Sequence, residues 1–238
     1  MRSVSTAPSS HITTAVVALD DPEYSLNILA SGDFRQWRSQ CRAKEPWTFD
    51  WLAWIPSTGV LYDVGACVGS YSLMAAARGV TVVALEPIPW NYGHCAANVC
   101  MNKLAHKVTV LPYAVGSHDG VTVLRHPAAP ISGWGLATSD WTVPDDNAWQ
   151  VLVPMVTMRS LTKKYAEPTH VKIDVEGAEV EVLRGMDFDG IESIICEIRD
   201  DEAEAKALVI VQAQGFETVW KGGRRTEQQR THIWRRRA

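Results

Sequence analysis

The chain has 238 residues, 46% hydrophobic and 21% charged, with a formal net charge of −4 and a pI near 6.0. That length fits one large domain or two small ones around a substantial core, and the acidic balance offers no general field for nucleic acid or an anionic membrane. Five cysteines, Cys41, Cys67, Cys95, Cys100 and Cys196, form no C-x-x-C pair, which argues against a disulfide framework or zinc site and for a reducing, cytoplasmic setting.

The opening stretch "MRSVSTAPSSHITTAVVALDDPEY" holds no apolar run long enough for a signal peptide or a membrane span. Residues 1–55 are expected to form an N-terminal cap, a helical extension over the sheet of a main domain at 56–238. "VLYDVG" (60–65) reads as a short apolar strand, turned by Gly65 through Gly69 into a helical run from Tyr71 to Ala77. "VTVVALEP" (80–87) is a second strand, "NYGHCAANVCMNKL" (91–104) a helix and "KVTVLPYAVG" (107–116) a third strand leading into a loop. This alternation implies a parallel sheet with crossover helices.

"GVTVLRH" (120–126) looks like one arm of a small hairpin, and the stretch to Gln150 is loop-like, with three tryptophans. "HVKIDVEG" (170–177) is then a strand, "AEVEVLRGM" (178–186) a helix, and "ESIICEIR" (192–199) a strand. "DEAEAKALVIVQAQ" (201–214) is a helix ended by Gly215. "FETVWK" and "THIWRRR" form a terminal hairpin around Gly222-Gly223. The fold class is α/β, a doubly wound seven-stranded sheet closing on an antiparallel hairpin. The arginine-rich tail is a solvated end or an anion-binding strip.

Ligands of such sheets bind outside the carboxyl ends of the strands. Gly65 and Gly69 stand four apart, without the middle glycine that lets a backbone approach a pyrophosphate. Glu86, followed by Pro87, ends the second strand about twenty residues past Gly65, where an acid accepts from ribose hydroxyls rather than lying solvated. "VKIDVEG" alternates, which places Lys172, Asp174 and Glu176 on one face. Charges there are costly without a task or partners; they provide a general base, or a buried Lys–Asp pair that orients the loop. Glu179 and Glu181 follow on differing helix faces, Glu181 simply solvated. Glu197 orients a substrate or caps the next helix. Trp134 is an aromatic substrate wall or cover for the sheet edge. No histidine pair or G-x-S-x-G elbow is present. Oxygen ligands would allow a divalent cation, but no motif specifies a metal site.

"VLYDVGACVGSYSLMAA", "VVALEPIPWNYGHCAANV", "YAVGSHDGVTVL" and above all "HVKIDVEGAEVEVLRGM" resemble the FkbM family of S-adenosylmethionine-dependent methyltransferases, from about Gly59 to Arg199. The resemblance implies a class I (Rossmann-like) methyltransferase domain that transfers methyl to oxygen, on a sugar or natural product. It implies that Asp63, Gly65, Ala66, Gly69 and Ser70 line the methionine and ribose part of the cofactor. Glu86 then holds the ribose hydroxyls, Tyr113 and Ala114 border the adenine, and Asp174 and Glu176 face the methyl group; Pro87 joins the cofactor-binding candidates and Lys172 the catalytic ones. Trp134 and Glu197 are the substrate-binding candidates. Where the family often has an acid in "TLDSL", this chain reads "TMRSL", with Arg159.

The expected partner is a small-molecule hydroxyl acceptor, with no nucleic acid and no membrane; a homo-oligomer is compatible with the sequence. A nicotinamide-dependent oxidoreductase and a non-catalytic S-adenosylmethionine-binding protein are the alternatives.

Overall fold

The structure, a computed structural model, describes residues 14–31, 38–126, 149–223 and 230–237. Its centre is a run of short Val/Leu/Ile strands that read as continuous apolar segments because helices cover both faces. In chain order these are β3 (Val60–Val64), β4 (Thr81–Leu85), β5 (Val108–Leu111), β9 (His170–Ile173) and β10 (Ser193–Ile198), all mutually parallel. With β11 at Phe216–Gly222 and β12 at Arg230–Arg236, the seven-stranded sheet has the order β11-β12-β10-β9-β3-β4-β5. Its last members, β11 and β12, pair antiparallel, and β12 also runs antiparallel to β10. This is the doubly wound architecture with a reversed terminal hairpin.

Helices α3 (Ser70–Ala77) and α4 (Pro89–Met101) connect β3 to β4 and β4 to β5; α6 (Glu179–Arg184) and α7 (Asp201–Ala213) follow β9 and β10. Proline at the start of α4 needs no amide partner there, and Asp200 caps α7 by accepting from Ala203 N–H at 2.7 Å.

A second sheet hangs between β5 and β9. It holds β6 (Ala114–Val115), β7 (Gly120–His126) and β8 (Trp149–Val156) in the order β6-β8-β7, with α5 (Met158–Leu161) after it. The stretch 107–116, expected as a strand leading into a loop, is split at Pro112-Tyr113, and its end joins the second sheet as β6. Proline offers no amide to continue a ladder, and the break turns Tyr113 out of β5 towards the crevice.

The N-terminal region departs further from its expected form. Residues 14–31 form a hairpin, β1 (Thr14–Ala18) with β2 (Asn27–Ser31), and only α1 (Cys41–Lys44) and α2 (Pro46–Leu52) are helical. Asparagine side chains of α4 and of its C-terminal cap dock the hairpin: Asn98 Oδ1 accepts from Leu29 N–H at 2.6 Å, and Asn102 Oδ1 from Asn27 N–H at 2.9 Å. Trp51, fully buried, donates its indole N–H to Ser193 Oγ on β10 at 2.9 Å. Leu26, Ile28, Trp51 and Leu52 share one hydrophobic cluster with Leu61, Leu73 and Val82. The segment is thus part of the main core. Among the described residues, no helix is long and apolar enough to cross a membrane.

Candidate active site

The chain moves outward from β3 to β5 on one side of the sheet and resumes at β9 on the other, so a crevice opens at the carboxyl ends of β3 and β9. A cavity of about 230 Å³ lies there. Gly65 and Cys67 line it from the turn after β3, Glu86, Pro87 and Ile88 from the end of β4, Asn91 from the start of α4, and Asp174, Val175 and Glu176 from the end of β9. The small sheet contributes Tyr113 to His118, Thr122, Leu124 and Met155, and the N-terminal segment contributes Arg38.

The two glycines of the turn serve the protein's own packing. Gly65 has φ +82°, and a Cβ there would stand 1.9 Å from the Asp174 carbonyl oxygen. Gly69 has φ +87°, and its Cβ would meet Cys95 Sγ on α4 at 2.7 Å. Only glycine permits this left-handed backbone together with such close approach.

Glu86 is the pivot of the cavity. Its side chain is buried; Oε2 accepts from Cys67 N–H and Oε1 from Ile88 N–H, both at 2.8 Å. Burial pushes the carboxyl up to about 7, while the two amides, Arg38 and Asn91 pull it back towards ionisation. The Asn91 side chain also hydrogen-bonds this carboxylate, which leaves one of its roughly four acceptor sites for a ligand hydroxyl without surrendering either amide.

Behind the cavity is a buried charge cluster. Lys172 Nζ lies 3.5 Å from Asp63 Oδ1 and 3.6 Å from Asp174 Oδ2, and 5.2 Å from the centre of the Tyr71 ring. Burial opposes its charge, but Asp63 and Asp174, with Glu45 and Glu197, more than offset this and hold its pKa above the ordinary range. Asp63 Oδ2 accepts from Ser72 Oγ at 2.6 Å, and Glu45 Oε2 accepts from Tyr71 OH at 2.7 Å. Lys172 and Glu197 line a separate recess of about 10 Å³ with Glu45, Thr48 and Thr231.

Strand β9 stops at Ile173, shorter than the strand read over 170–177, because Glu176 (φ +60°) and Gly177 (φ +115°) turn the chain. Asp174 N–H still bonds the Val64 carbonyl at 3.0 Å. The strict alternation of Lys172, Asp174 and Glu176 is therefore lost. Asp174 turns to Lys172, and Glu176 forms an ion pair with Arg199 of β10's end. Glu179 is buried: Oε1 accepts from Gly177 N–H at 2.8 Å, and Oε2 has no hydrogen-bond partner among the described residues. Burial raises its carboxyl to about 7. Glu181, expected to be merely solvated, lines the cavity beside Ser117 and His118. The Ser117 hydroxyl, and then Arg184, hold its pKa below the usual value.

The structure thus brings Gly65, Glu86, Pro87, Tyr113, Ala114, Asp174 and Glu176 to one cavity. Asp63, Ala66, Gly69, Ser70, Lys172 and Glu197 stand around it without lining it. Ser70 Oγ is engaged with the Arg38 carbonyl at 3.1 Å. Trp134 and Trp141 lie outside the described residues. Arg38, Asn91, His118 and Glu181 were not among the expected site residues. Asn91 was within reach of a helical reading, five residues past Glu86; Arg38 carries no local signal, since only tertiary docking of the N-terminal segment places it. Arg159, where the resemblance led us to look for an acid, donates to the Met186 carbonyl at 3.3 Å, just past the C-terminus of α6. A cation suits that end of a helix.

The family model described as the methyltransferase FkbM domain matches residues 63–219. The chain belongs to the FkbM methyltransferase family. Its similarity to 31-O-demethyl-FK506 methyltransferase FkbM of Streptomyces tacrolimicus is 27% identity over 192 residues, covering 67% of this chain and 73% of the relative. In structure, this FkbM-family chain is similar to the precorrin-6y C5,15-methyltransferase of Geobacter metallireducens, with a TM-score of 0.51 and 14% identity, covering 93% of this chain and 98% of that one. It is also similar to Trm5b of Pyrococcus abyssi, with a TM-score of 0.56 and 13% identity, covering 94% of this chain and 56% of that one. Methanocaldococcus jannaschii Trm5, solved with adenosine, gives a TM-score of 0.55 at 11% identity, covering 94% and 55%. These structural likenesses show the class I, Rossmann-like fold. Among the described residues of this FkbM-family chain, no group of three or more His, Cys, Asp or Glu is arranged to hold a metal.

Proposed function

We propose that this FkbM-family chain binds S-adenosylmethionine in the cavity and methylates a hydroxyl of a small molecule, a sugar or natural-product scaffold. The observation that carries this reading is Glu86: a buried carboxylate, fixed by two amides, with acceptor capacity left on a cavity that also holds Asp174 and Glu176. The residues present fit the cofactor. Glu86 would hold the ribose hydroxyls, Gly65 and Cys67 would border the sugar and the chain beyond it, and Tyr113 and Ala114 would border the adenine. Bound there, the cofactor supplies an electrophilic methyl group on a sulfonium. The Streptomyces relative is a 31-O-demethyl-FK506 methyltransferase, which supports oxygen as the acceptor atom. The family favours neither an oxidoreductase nor a non-catalytic binder.

The protein's own work is to orient the acceptor and take its proton. Alignment in a closed site is worth several kcal/mol, and a positioned base adds about 10²–10⁴-fold. Asp174 and Glu176 are the candidate bases. Lys172 orients Asp174 while sharing its charge with Asp63, whereas Glu176 is engaged by Arg199. Of the two, Asp174 is the freer to receive a proton.

The test is calorimetry with S-adenosylmethionine and with NAD, followed by turnover on a panel of hydroxylated sugars and natural-product scaffolds. We expect binding of the first ligand alone. Asp174→Asn should cut turnover by about 10²-fold or more with cofactor affinity kept. Near-normal turnover in both Asp174→Asn and Glu176→Gln would refute the base assignment, and NAD binding would refute the cofactor.

A further inference from the structure

Among the described residues, the acidic side chains Glu86, Asp174, Glu176 and Glu181 line the cavity, with Arg38 and His118 as the basic ones, and of those two Arg38 is the permanently charged one. S-adenosylmethionine, taken from the reading above, brings two cations, the sulfonium and the amino group, and one anion, the carboxylate of its methionine end. The cations suit a cavity of carboxylates. The carboxylate does not, because like charges at short range are repelled strongly where water is scarce. It needs a cation, and the cavity offers one from an unexpected quarter.

Arg38 reaches the cavity from the N-terminal segment, outside the part of the chain that the family model matches. Its backbone is pinned in place: the carbonyl accepts from Ser70 Oγ at 3.1 Å and from Cys41 Sγ at 3.0 Å. Ser70 opens α3, directly after the Gly65–Gly69 turn. Arg38 lines the cavity together with Glu86 and Cys67, and its guanidinium charge pulls both the Glu86 carboxyl and the Cys67 thiol towards ionisation. A guanidinium there presents a planar fork that matches a carboxylate with two parallel hydrogen bonds.

We infer that Arg38 is the receptor for the cofactor's carboxylate, so that the N-terminal segment completes the cofactor site and selects the amino-acid end of the ligand. The inference rests on the S-adenosylmethionine reading, and the experiment separates the two. Calorimetry on the full chain would compare S-adenosylmethionine with its decarboxylated form, which keeps adenosine, sulfonium and amine but lacks the carboxylate. Wild type should prefer the carboxylated ligand by about 10- to 100-fold, the scale of a charge-assisted pair. Arg38→Met should lose that preference: its affinity for S-adenosylmethionine falls by the same factor, while that for the decarboxylated form changes by less than about threefold. Arg38→Lys should keep part of the preference, as a charge without the fork. Equal losses for both ligands in Arg38→Met, or no loss for either, would overturn the assignment. A wild type that binds neither ligand would overturn the cofactor reading itself, and the inference with it.

Discussion

Replacing Gly65 with alanine tests whether that glycine exists for the ligand or for the protein. The added Cβ would sit 1.9 Å from the Asp174 carbonyl oxygen, against an ordinary carbon–oxygen contact of about 3.3 Å, so backbone must move by roughly 1.4 Å. Forcing alanine to φ +82° costs about 1–2 kcal/mol, and relieving the overlap about 1–3 kcal/mol more. For a chain of this size each kcal/mol lowers Tm by about 2–4 °C, so Gly65→Ala should melt about 4–20 °C lower. Gly190→Ala is the control, since Gly190 has φ +74° but open space around its Cβ position. It carries the conformational cost without the overlap. Thermal melts followed by circular dichroism without ligand are the assay. If Gly65→Ala melts as high as Gly190→Ala, the close approach of the β3 and β9 ends is not what demands glycine, and the reasoning fails.

Three further outcomes follow from the same site and its supports. Lys172→Met strands Asp63 and Asp174 without their shared cation and should cost about 3–5 kcal/mol in urea unfolding; adding Asp63→Asn should recover part of it, and no recovery would mean that packing, not charge, was lost. Glu179, raised to about 7 in the fold, keeps its proton between roughly pH 4.5 and 7 while the unfolded chain releases it, so stability falls as pH rises through that window. Glu179→Gln should flatten that fall, gaining stability at pH 8 relative to wild type and little at pH 4.5; parallel pH profiles would count against it. Trp51→Phe breaks the bond to Ser193 and leaves a small void, which should cost about 1–4 kcal/mol within a single unfolding transition. A separate early transition would show that the N-terminal segment unfolds on its own.

The parallel sheet was legible because its strands are apolar on both faces and separated by helical runs, a pattern that local sequence carries. Glu86 was legible for a similar reason: its distance from Gly65 measures one strand–helix–strand unit. The glycines were found, but their task was not, since the contact that needs them joins Gly65 to Asp174, more than a hundred residues apart. Lys172 was correctly singled out as a charge needing partners, while its distribution between Asp63 and Asp174 depends on the pairing of β3 with β9. Arg38 and Glu45 were invisible: nothing near them in sequence has a period or motif, and their positions come from how residues 38–55 pack on the sheet. The β1–β2 hairpin escaped because short strands with half-polar faces resemble loop.

The second sheet gives this FkbM-family chain a modular construction. It enters after β5, returns before β9, and forms a satellite core of its own, with Ala114, Leu124 and Val153 packed on Ile88. One of its faces supplies Thr122, Leu124 and Met155 to the cavity, while the opposite face leaves Val121 and Leu152 well exposed. Substitutions there reshape one wall of the cavity without touching the strands that carry Glu86 and Asp174. A laboratory library confined to residues 120–126 and 150–156 would vary that wall while the strands that lead to Glu86 and Asp174 keep their sequence.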